Sequence, residues 1–423
     1  MKKNLLAYIF FLFILYMFFF YPPFGPFRVI FGISNIISLA GIVLYLINPS
    51  PVREFVSQHR KIFKIMVFTL FYSILSIMVE HDTGLFTAHF LFLTNCFLVV
   101  PQLLCFAKKN GFGTENDIVR SILVVISVSS IVSLLCVSFP NFNSYIKYDV
   151  IKYAQDDFLF DVDYRGFGFA SLLTSNYGFI LGFVSVLGVF YLSENRWFLF
   201  FIPLLIVAAL LNARTGVVIA FAGFSVYLLL SGGFKNIFYG VLVAILGIVL
   251  VSNIEMVLNL IGVNDETIKW LTYFTDEIDG LTSTGSVQGS QMATTLLDDM
   301  WIWPDNVIQW IFGRGYILFR NTHGVMKSDV GWVNELNFGG LVYFLPLLYM
   351  FYLVYKQLKI NKGRSLALFV FITIIIVNTK GRLYPQYSIF YIMMMVMMVT
   401  TRNKSSMRLT NKDVTKRLQD GKY

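Results

Sequence analysis

The run NTHGVMKSDVGWVNELNFGG, at residues 321–340, gathers His323, Lys327, Asp329 and Glu335 into one short stretch. A carboxylate or an imidazole there could take the proton of an attacking hydroxyl, so Asp329, Glu335 and His323 are the candidate catalytic groups. Cations surround them: Arg314 in GRG, Arg320 just before His323, and Lys380 and Arg382 in NTKGRLYPQ. Two more stand in distinctive contexts, Arg165 in RGFGFASLLTSNYGF and Arg214 in NARTGVVIAF. Arginine presents a planar fork of donors that matches phosphate oxygens, so a diphosphate is an economical common target. Simpler roles exist for several of these cations. Arg314 could complement a helix C-terminus, Arg165 could pair with acidic neighbours, and Lys380 and Arg382 could snorkel to headgroups.

Glu335 lies too far inside the following apolar run to cap it. Helical spacing puts Gly331, Asn334, Glu335, Phe338 and Gly339 on one face, with Asn337 beside it. A carboxylate at that depth is costly unless a polar cavity or a partner receives it, which leaves an Arg–Glu pair as the structural alternative. Ser328 or Asp329 could cap the same run.

Other chemistries lack their signatures. There is no G-x-x-x-x-G-K-[ST] loop, no Rossmann glycine pattern, no H-E-x-x-H and no G-x-S-x-G elbow. No metal and no cofactor is expected, and Asp298-Asp299 reads as a solvated loop face. Cys96, Cys105 and Cys136 all fall in apolar runs and read as packing residues.

The elements that must position these groups are membrane helices. Hydrophobic residues make up 57% of the 423 positions and charged ones only 13%, which excludes a water-soluble domain. Apolar runs near 4–21, 27–47, 62–80, 86–106, 118–139, 169–192, 197–211, 215–231, 237–252, 331–355, 365–379 and 386–400 are candidate spans. The expectation is an all-α polytopic membrane protein of about 12 helices: nine in 1–252, a large loop at 253–330, three more in 331–400, and a basic tail at 401–423. With the N-terminus inside, the inner segments hold Lys/Arg over the outer ones by two to one, which orients the bundle. Arg53, Arg60, Lys61 and Lys64 fill one inner loop, and Lys356, Lys359, Lys362 and Arg364 another. The net charge of +9 therefore reflects anchoring at an anionic leaflet and gives no reason to expect nucleic acid.

The loop 253–330 has internal order of its own. Asn264 can cap a helix carrying Ile268, Leu271, Phe274 and Ile278, and Gly280 can end it. A Gly/Ser/Thr-rich link at 281–290 follows, then a helical stretch with Leu296, Leu297, Met300 and Trp301. Pro304 suits the first turn of a last helix that Gly313 closes. Trp270, Trp301, Trp303 and Trp310 suit an interface between hydrocarbon and water, so these helices should lie on the outer surface as a lid.

RGFGFASLLTSNYG, the LNARTG turn, GRG, SDVGWVNELNFGGLVYF and NTKGRLYPQ together resemble the bacterial O-antigen polymerase family (Wzy-type), over the whole topology. The related O-antigen ligases usually carry a histidine–asparagine pair where this chain has Ser328-Asp329. The polymerase family's loop motif, an arginine with ten residues before a glycine, is matched by Arg320 and Gly331; from Arg165 the position is Asn176. The resemblance implies a GT-C-like membrane glycosyltransferase of the bacterial inner membrane, with both termini cytoplasmic. It would polymerise undecaprenyl-diphosphate-linked repeats, of O-antigen or capsular type, on the periplasmic side. A chain-length regulator and a flippase would be its protein partners. A lipid-linked oligosaccharide flippase or other secondary transporter is the competing class, with a ligase or a non-catalytic assembly partner beyond it.

Overall fold

The computed structural model describes residues 4–22, 33–80, 83–150, 166, 168–170, 174–194, 196–230, 294, 299–318 and 327–400. Every regular element among them is helical. Helix α1 (Leu5–Phe20) starts at Asn4, whose side chain accepts from the amide of Ala7 at 3.3 Å. Helix α2 (Ile33–Ile47) turns by 102° into α3 (Ser50–Gln58), and α4 (Arg60–Tyr72) continues through α5 (Ile74–Glu80). Helix α6 (Gly84–Thr94) passes through a π-turn at Asn95–Val99 into α7 (Val100–Lys109). Then come α8 (Glu115–Ser138), α9 (Thr174–Phe190), α10 (Phe198–Asn212) and α11 (Arg214–Leu230). A six-residue helix, α12 (Val307–Phe312), precedes α13 (Gly331–Lys362), α14 (Arg364–Lys380) and α15 (Ile389–Thr400).

Four of these segments are long and apolar enough to cross a membrane: Arg60–Val79, Gly84–Lys109, Glu115–Ser138 and Gly331–Lys362. The bent pair α2–α3 makes five, and five shorter apolar helices accompany them. Among the described residues the protein is therefore all-helical, with the long apolar helices of a membrane protein. The outward faces say the same, since Leu6 is 79% exposed, Phe200 77% and Leu229 80%, an arrangement suited to lipid. The expected span at 237–252, the helices expected within 253–290 and the basic tail fall outside the described residues.

Side-chain contacts sort the helix ends into two layers. At one end, Ser388 Oγ donates to the carbonyl of Phe19 at 2.8 Å, closing the end of α1 against the start of α15. Asn176 Nδ2 donates to Ser388 Oγ at 3.2 Å, and Asn212 Nδ2 donates to Ser133 Oγ at 2.8 Å. At the other end, Lys362 and the Tyr191 hydroxyl both meet Glu115, and Asn116 Nδ2 donates to Glu194 at 2.8 Å. Lys108, Lys109, Arg60, Lys61, Lys359 and Arg364 belong to this second layer by their helix positions.

In the basic layer His59 sits at the corner between α3 and α4, almost wholly buried, with Nδ1 2.7 Å from Gln357 Oε1. Burial pulls its pKa from 6.5 down to about 4. The native state thus holds His59 neutral, whereas the unfolded chain takes a proton below 6.5. Its contribution is complete above pH 6.5 and is lost as pH falls towards 4. Thermal unfolding of detergent-solubilised protein should show the midpoint falling across that window, and His59→Asn should flatten the fall. An unchanged profile in the variant would remove His59 as the cause.

Candidate functional site

Among the described residues, α9 and α11 cross in close backbone contact. A Cβ on Gly216 would stand 2.1 Å from the carbonyl oxygen of Gly178, and one on Gly182 would stand 1.9 Å from that of Gly216. Only glycine permits backbones this close, the packing that membrane helices use where lipid gives no hydrophobic drive. That crossing places Arg214, the first residue of α11, with 9% of its surface exposed. A single residue, Ala213, separates α10 from α11, and its amide bonds the Ala209 carbonyl at 2.7 Å. The short turn read from the sequence is tighter still.

The second junction joins the N-terminal turns of α13 to the hairpin after α14. Gly381 packs its carbonyl so close to Gly331 that a Cβ there would lie at 2.1 Å. Asn378 directs the hairpin: Nδ2 bonds the Ile374 carbonyl at 2.8 Å, and Oδ1 accepts from the amide of Leu383 at 3.2 Å. Arg382 then enters the bundle. Its Nε donates to Glu335 Oε1 at 2.8 Å and its Nη2 to Oε2 at 3.0 Å, with the two side chains 4% and 0% exposed. The guanidinium also lies 5.9 Å from the Phe338 ring centroid. This is the Arg–Glu pair left open by the sequence, in bidentate geometry. At the rim of the same junction Lys380 Nζ meets Asp329 Oδ2 at 3.1 Å, both about a third exposed.

Residues 299–318 pack on this junction from the loop side. Ser328 Oγ donates to the Met300 carbonyl at 2.6 Å and accepts from the amide of Val330 at 3.2 Å. It therefore serves the helix start from two residues back, while Val330 itself holds the cap position. Asn337 Nδ2 donates to the Ile302 carbonyl at 2.8 Å. Helix α12 begins at Val307 and not at Pro304, because Asn306 accepts from Gln309 N at 3.0 Å and Gln309 Oε1 accepts from Asp305 N at 2.9 Å. That reciprocal cap sets the boundary three residues later than the proline alone implies. Trp301, Trp303 and Trp310 form a row: Trp303 stacks on Trp310 with centroids 5.7 Å apart, and Trp301 lies tilted against Trp303 at 5.5 Å.

GRG turns out to have a backbone role. Helix α13 breaks at Gly340, where φ is 57° and ψ is −163°, and the break frees carbonyls of the preceding turn. The amide of Arg314 bonds the Asn337 carbonyl, and the amide of Gly315 bonds that of Phe338 at 3.1 Å. The Tyr72 hydroxyl donates to Gly339 at 3.0 Å and also reaches the Phe312 carbonyl at 2.7 Å. Carbonyls left unmade inside a membrane bundle would be costly, so residues 312–315 stopper the break. The Arg314 side chain meets Asp305 at 3.0 Å and the Trp303 carbonyl at 3.2 Å.

Of the sequence candidates, Asp329, Glu335, Lys380 and Arg382 thus converge at one junction, and Arg314 lies on the segment packed against it. Arg214 stands at the neighbouring α9–α11 crossing. The two crossings are linked, because Ser175 Oγ lies 3.3 Å from the Tyr387 hydroxyl and a Cβ on Gly381 would strike that same hydroxyl. Arg165, Arg320 and His323 lie outside the described residues. Arg382 has its fork engaged by Glu335, so in this state it holds a carboxylate and is closed to a diphosphate. Asp329 and Lys380 are the more exposed of the two ion pairs. Sequence reading gave no role to Tyr343 or His89, which line the same cluster: His89 Nε2 lies 2.8 Å from the Tyr343 hydroxyl. Tyrosine inside an aromatic-rich span carries no periodic signal that marks it as polar in use.

No protein-family model matches the chain, and no curated protein is significantly similar to it. The functional reading therefore rests on the residues and their geometry.

Proposed function

We propose that this protein is a polytopic glycosyltransferase of O-antigen-polymerase type, extending a glycan carried on undecaprenyl diphosphate. One observation carries the reading: a rim pair, Asp329–Lys380, beside a buried pair, Glu335–Arg382, at the end of the bundle opposite its Lys/Arg-rich layer. Cations gather on the cytoplasmic side of membrane proteins, so the paired groups belong on the periplasmic side, where nucleotide sugars are absent. A lipid-linked donor fits that constraint. The finer topology goes with it: about twelve spans, both termini cytoplasmic, and a periplasmic loop at 253–330 in the bacterial inner membrane.

In the reaction, the acceptor hydroxyl attacks the anomeric carbon of the donor glycan. The bond from that carbon to the diphosphate oxygen breaks as the new glycosidic bond forms. Asp329, the more exposed carboxylate, takes the hydroxyl proton. Lys380 and Arg214, with Arg320 from the loop, meet the charge that develops on the departing diphosphate, which is electrostatic catalysis. Glu335 and Arg382 hold the hairpin that presents Lys380.

In a deletion strain the wild-type gene should restore a long-chain polysaccharide ladder, while single repeats are exported and attached without it. Arg214→Lys keeps the charge and loses the fork, and Asp329→Asn removes the base; each should cut the ladder sharply at normal protein level. Full ladders from both would sink their assigned roles. A flippase is the second reading, favoured by the Glu335–Arg382 pair lying wholly inside the bundle, where a transporter would keep a switching pair. Repeats stranded on the cytoplasmic face of the deletion strain would decide for it.

A further inference from the structure

We infer that His89 and Tyr343 are positioning residues for the Glu335–Arg382 pair, acting as a directional hydrogen-bond chain anchored on the backbone of α6. The inference rests on the glycosyltransferase reading for its effect on activity, though not for its effect on the pair itself.

The chain begins at Leu85. His89 Nδ1 lies 2.7 Å from the Leu85 carbonyl, one helical turn earlier. A carbonyl oxygen can only accept, so Nδ1 carries the hydrogen. The neutral ring then has only a lone pair at Nε2, and Nε2 faces the Tyr343 hydroxyl at 2.8 Å. Tyr343 must donate to it. With its one hydrogen committed, the Tyr343 oxygen can only accept on its remaining side. That side faces the Glu335–Arg382 pair across Phe338, whose ring lies 5.0 Å from the Tyr343 ring and 5.9 Å from the guanidinium. A lone pair repels a carboxylate and attracts a guanidinium N–H, so the phenol oxygen selects Arg382. Tyr343 thereby places a second acceptor beside Arg382, in addition to the Glu335 carboxylate that holds its fork.

The break at Gly340 makes this possible. Eight residues separate Glu335 from Tyr343, which on an unbroken helix is roughly 12 Å of rise. Bent at Gly340, the helix returns Tyr343 to the same cluster. All four side chains are buried, His89, Tyr343 and Glu335 at 0% and Arg382 at 4%. Phenylalanine could fill either volume with less desolvation, so the polar atoms of His89 and Tyr343 have a use beyond filling space.

The test uses the full-length protein in a deletion strain and, purified in detergent, by thermal unfolding. Tyr343→Phe removes one oxygen and should lower polymer formation about tenfold, the size of one buried hydrogen bond lost from the hold on Arg382 and the hairpin that presents Lys380. His89→Asn can still bond Leu85, as Asn334 and Asn337 each bond the carbonyl four residues back, and it should match Tyr343→Phe. His89→Gln returns an acceptor within reach of Tyr343 and should recover most of the activity. The double variant His89→Asn/Tyr343→Phe should be no worse than Tyr343→Phe alone. Wild-type ladders from Tyr343→Phe, equal defects from His89→Asn and His89→Gln, or additive losses would each overturn the inference. Should the wild-type gene itself restore no ladder, the glycosyltransferase reading fails, and the unfolding cycle still decides this one. Tyr343→Phe must destabilise wild type more than it destabilises the stable double variant Arg382→Met/Glu335→Leu; equal effects would mean that Tyr343 does not hold Arg382.

Discussion

Arg382→Ala should leave little folded protein. It strands the Glu335 carboxylate, which is 0% exposed and accepts from Arg382 at both of its oxygens. Breaking a buried ion pair by removing one partner costs about 3–5 kcal/mol, a large part of the margin that keeps a protein folded. Removing both partners has a different outcome. Replacing a buried pair by apolar groups of similar volume is often neutral, so Arg382→Met/Glu335→Leu should regain normal level and unfolding midpoint. What the double variant then does separates structure from function. The expected result is a stable protein with no ladder, because the hairpin that presents Lys380 is no longer held in register by a directional contact. A double variant that is both stable and fully active would show the pair to be structural and would take Glu335 and Arg382 out of the site.

Gly340→Ala should be nearly as damaging, by a route that touches no charge. Gly340 has φ of 57° and ψ of −163°, a region that costs a residue with a side chain about 1–3 kcal/mol. A Cβ there would also stand 2.4 Å from the Ile311 backbone, which is itself fixed against the break. Overpacking of this kind adds about 1–3 kcal/mol. Gly363 supplies the control, since its φ is 107° but a Cβ would meet nothing within 4 Å. Gly363→Ala therefore carries backbone strain only, and its unfolding midpoint should drop much less. Equal drops would mean that the docking of α12 on the break is not what Gly340 protects. Gly313→Ala, whose Cβ would lie 2.4 Å from the Phe338 carbonyl oxygen, should resemble Gly340→Ala and should not resemble Gly363→Ala.

Much of the frame was legible in the chain because a bilayer is a solvent that reads sequence locally. Each span must satisfy its own backbone and show lipid an apolar face, so every apolar run that falls among the described residues contains a helix, with bounds that differ by a few residues. The Asn212–Gly216 turn was legible too, since two apolar runs with almost nothing between them leave no other connection. The closing glycine of α12 was visible for the same local reason: Gly313, with φ of 76°, adopts a conformation that disfavours a side chain. Misreadings were local competitions. Pro304 permits a helix start, but Asn306 accepts from the Gln309 amide while Gln309 accepts from the Asp305 amide, and together they fix the start at Val307.

Partnership was another matter. Nothing in the spacing of NELNFGG or KGRLYPQ says that Glu335 faces Arg382, 47 residues away, or that His89 faces Tyr343, 254 residues away. Sequence identified Glu335 as a carboxylate too deep to be idle, because the cost of burying it depends only on its own position. Which cation answers it depends on how α13, the 380–387 hairpin and α6 pack, and packing is settled by close approaches such as Gly331 on Gly381. The break at Gly340 belongs to the same category. A glycine pair in an apolar run can be a crossing point, a kink or neither, and here the α12 backbone that docks on it decides. Composition and hydropathy determined that this chain is a bundle of membrane helices with a basic end. Only the tertiary structure decided which of its buried charges hold one another, because charge pairing inside a bundle is a property of helices that meet in space however far apart they lie along the chain.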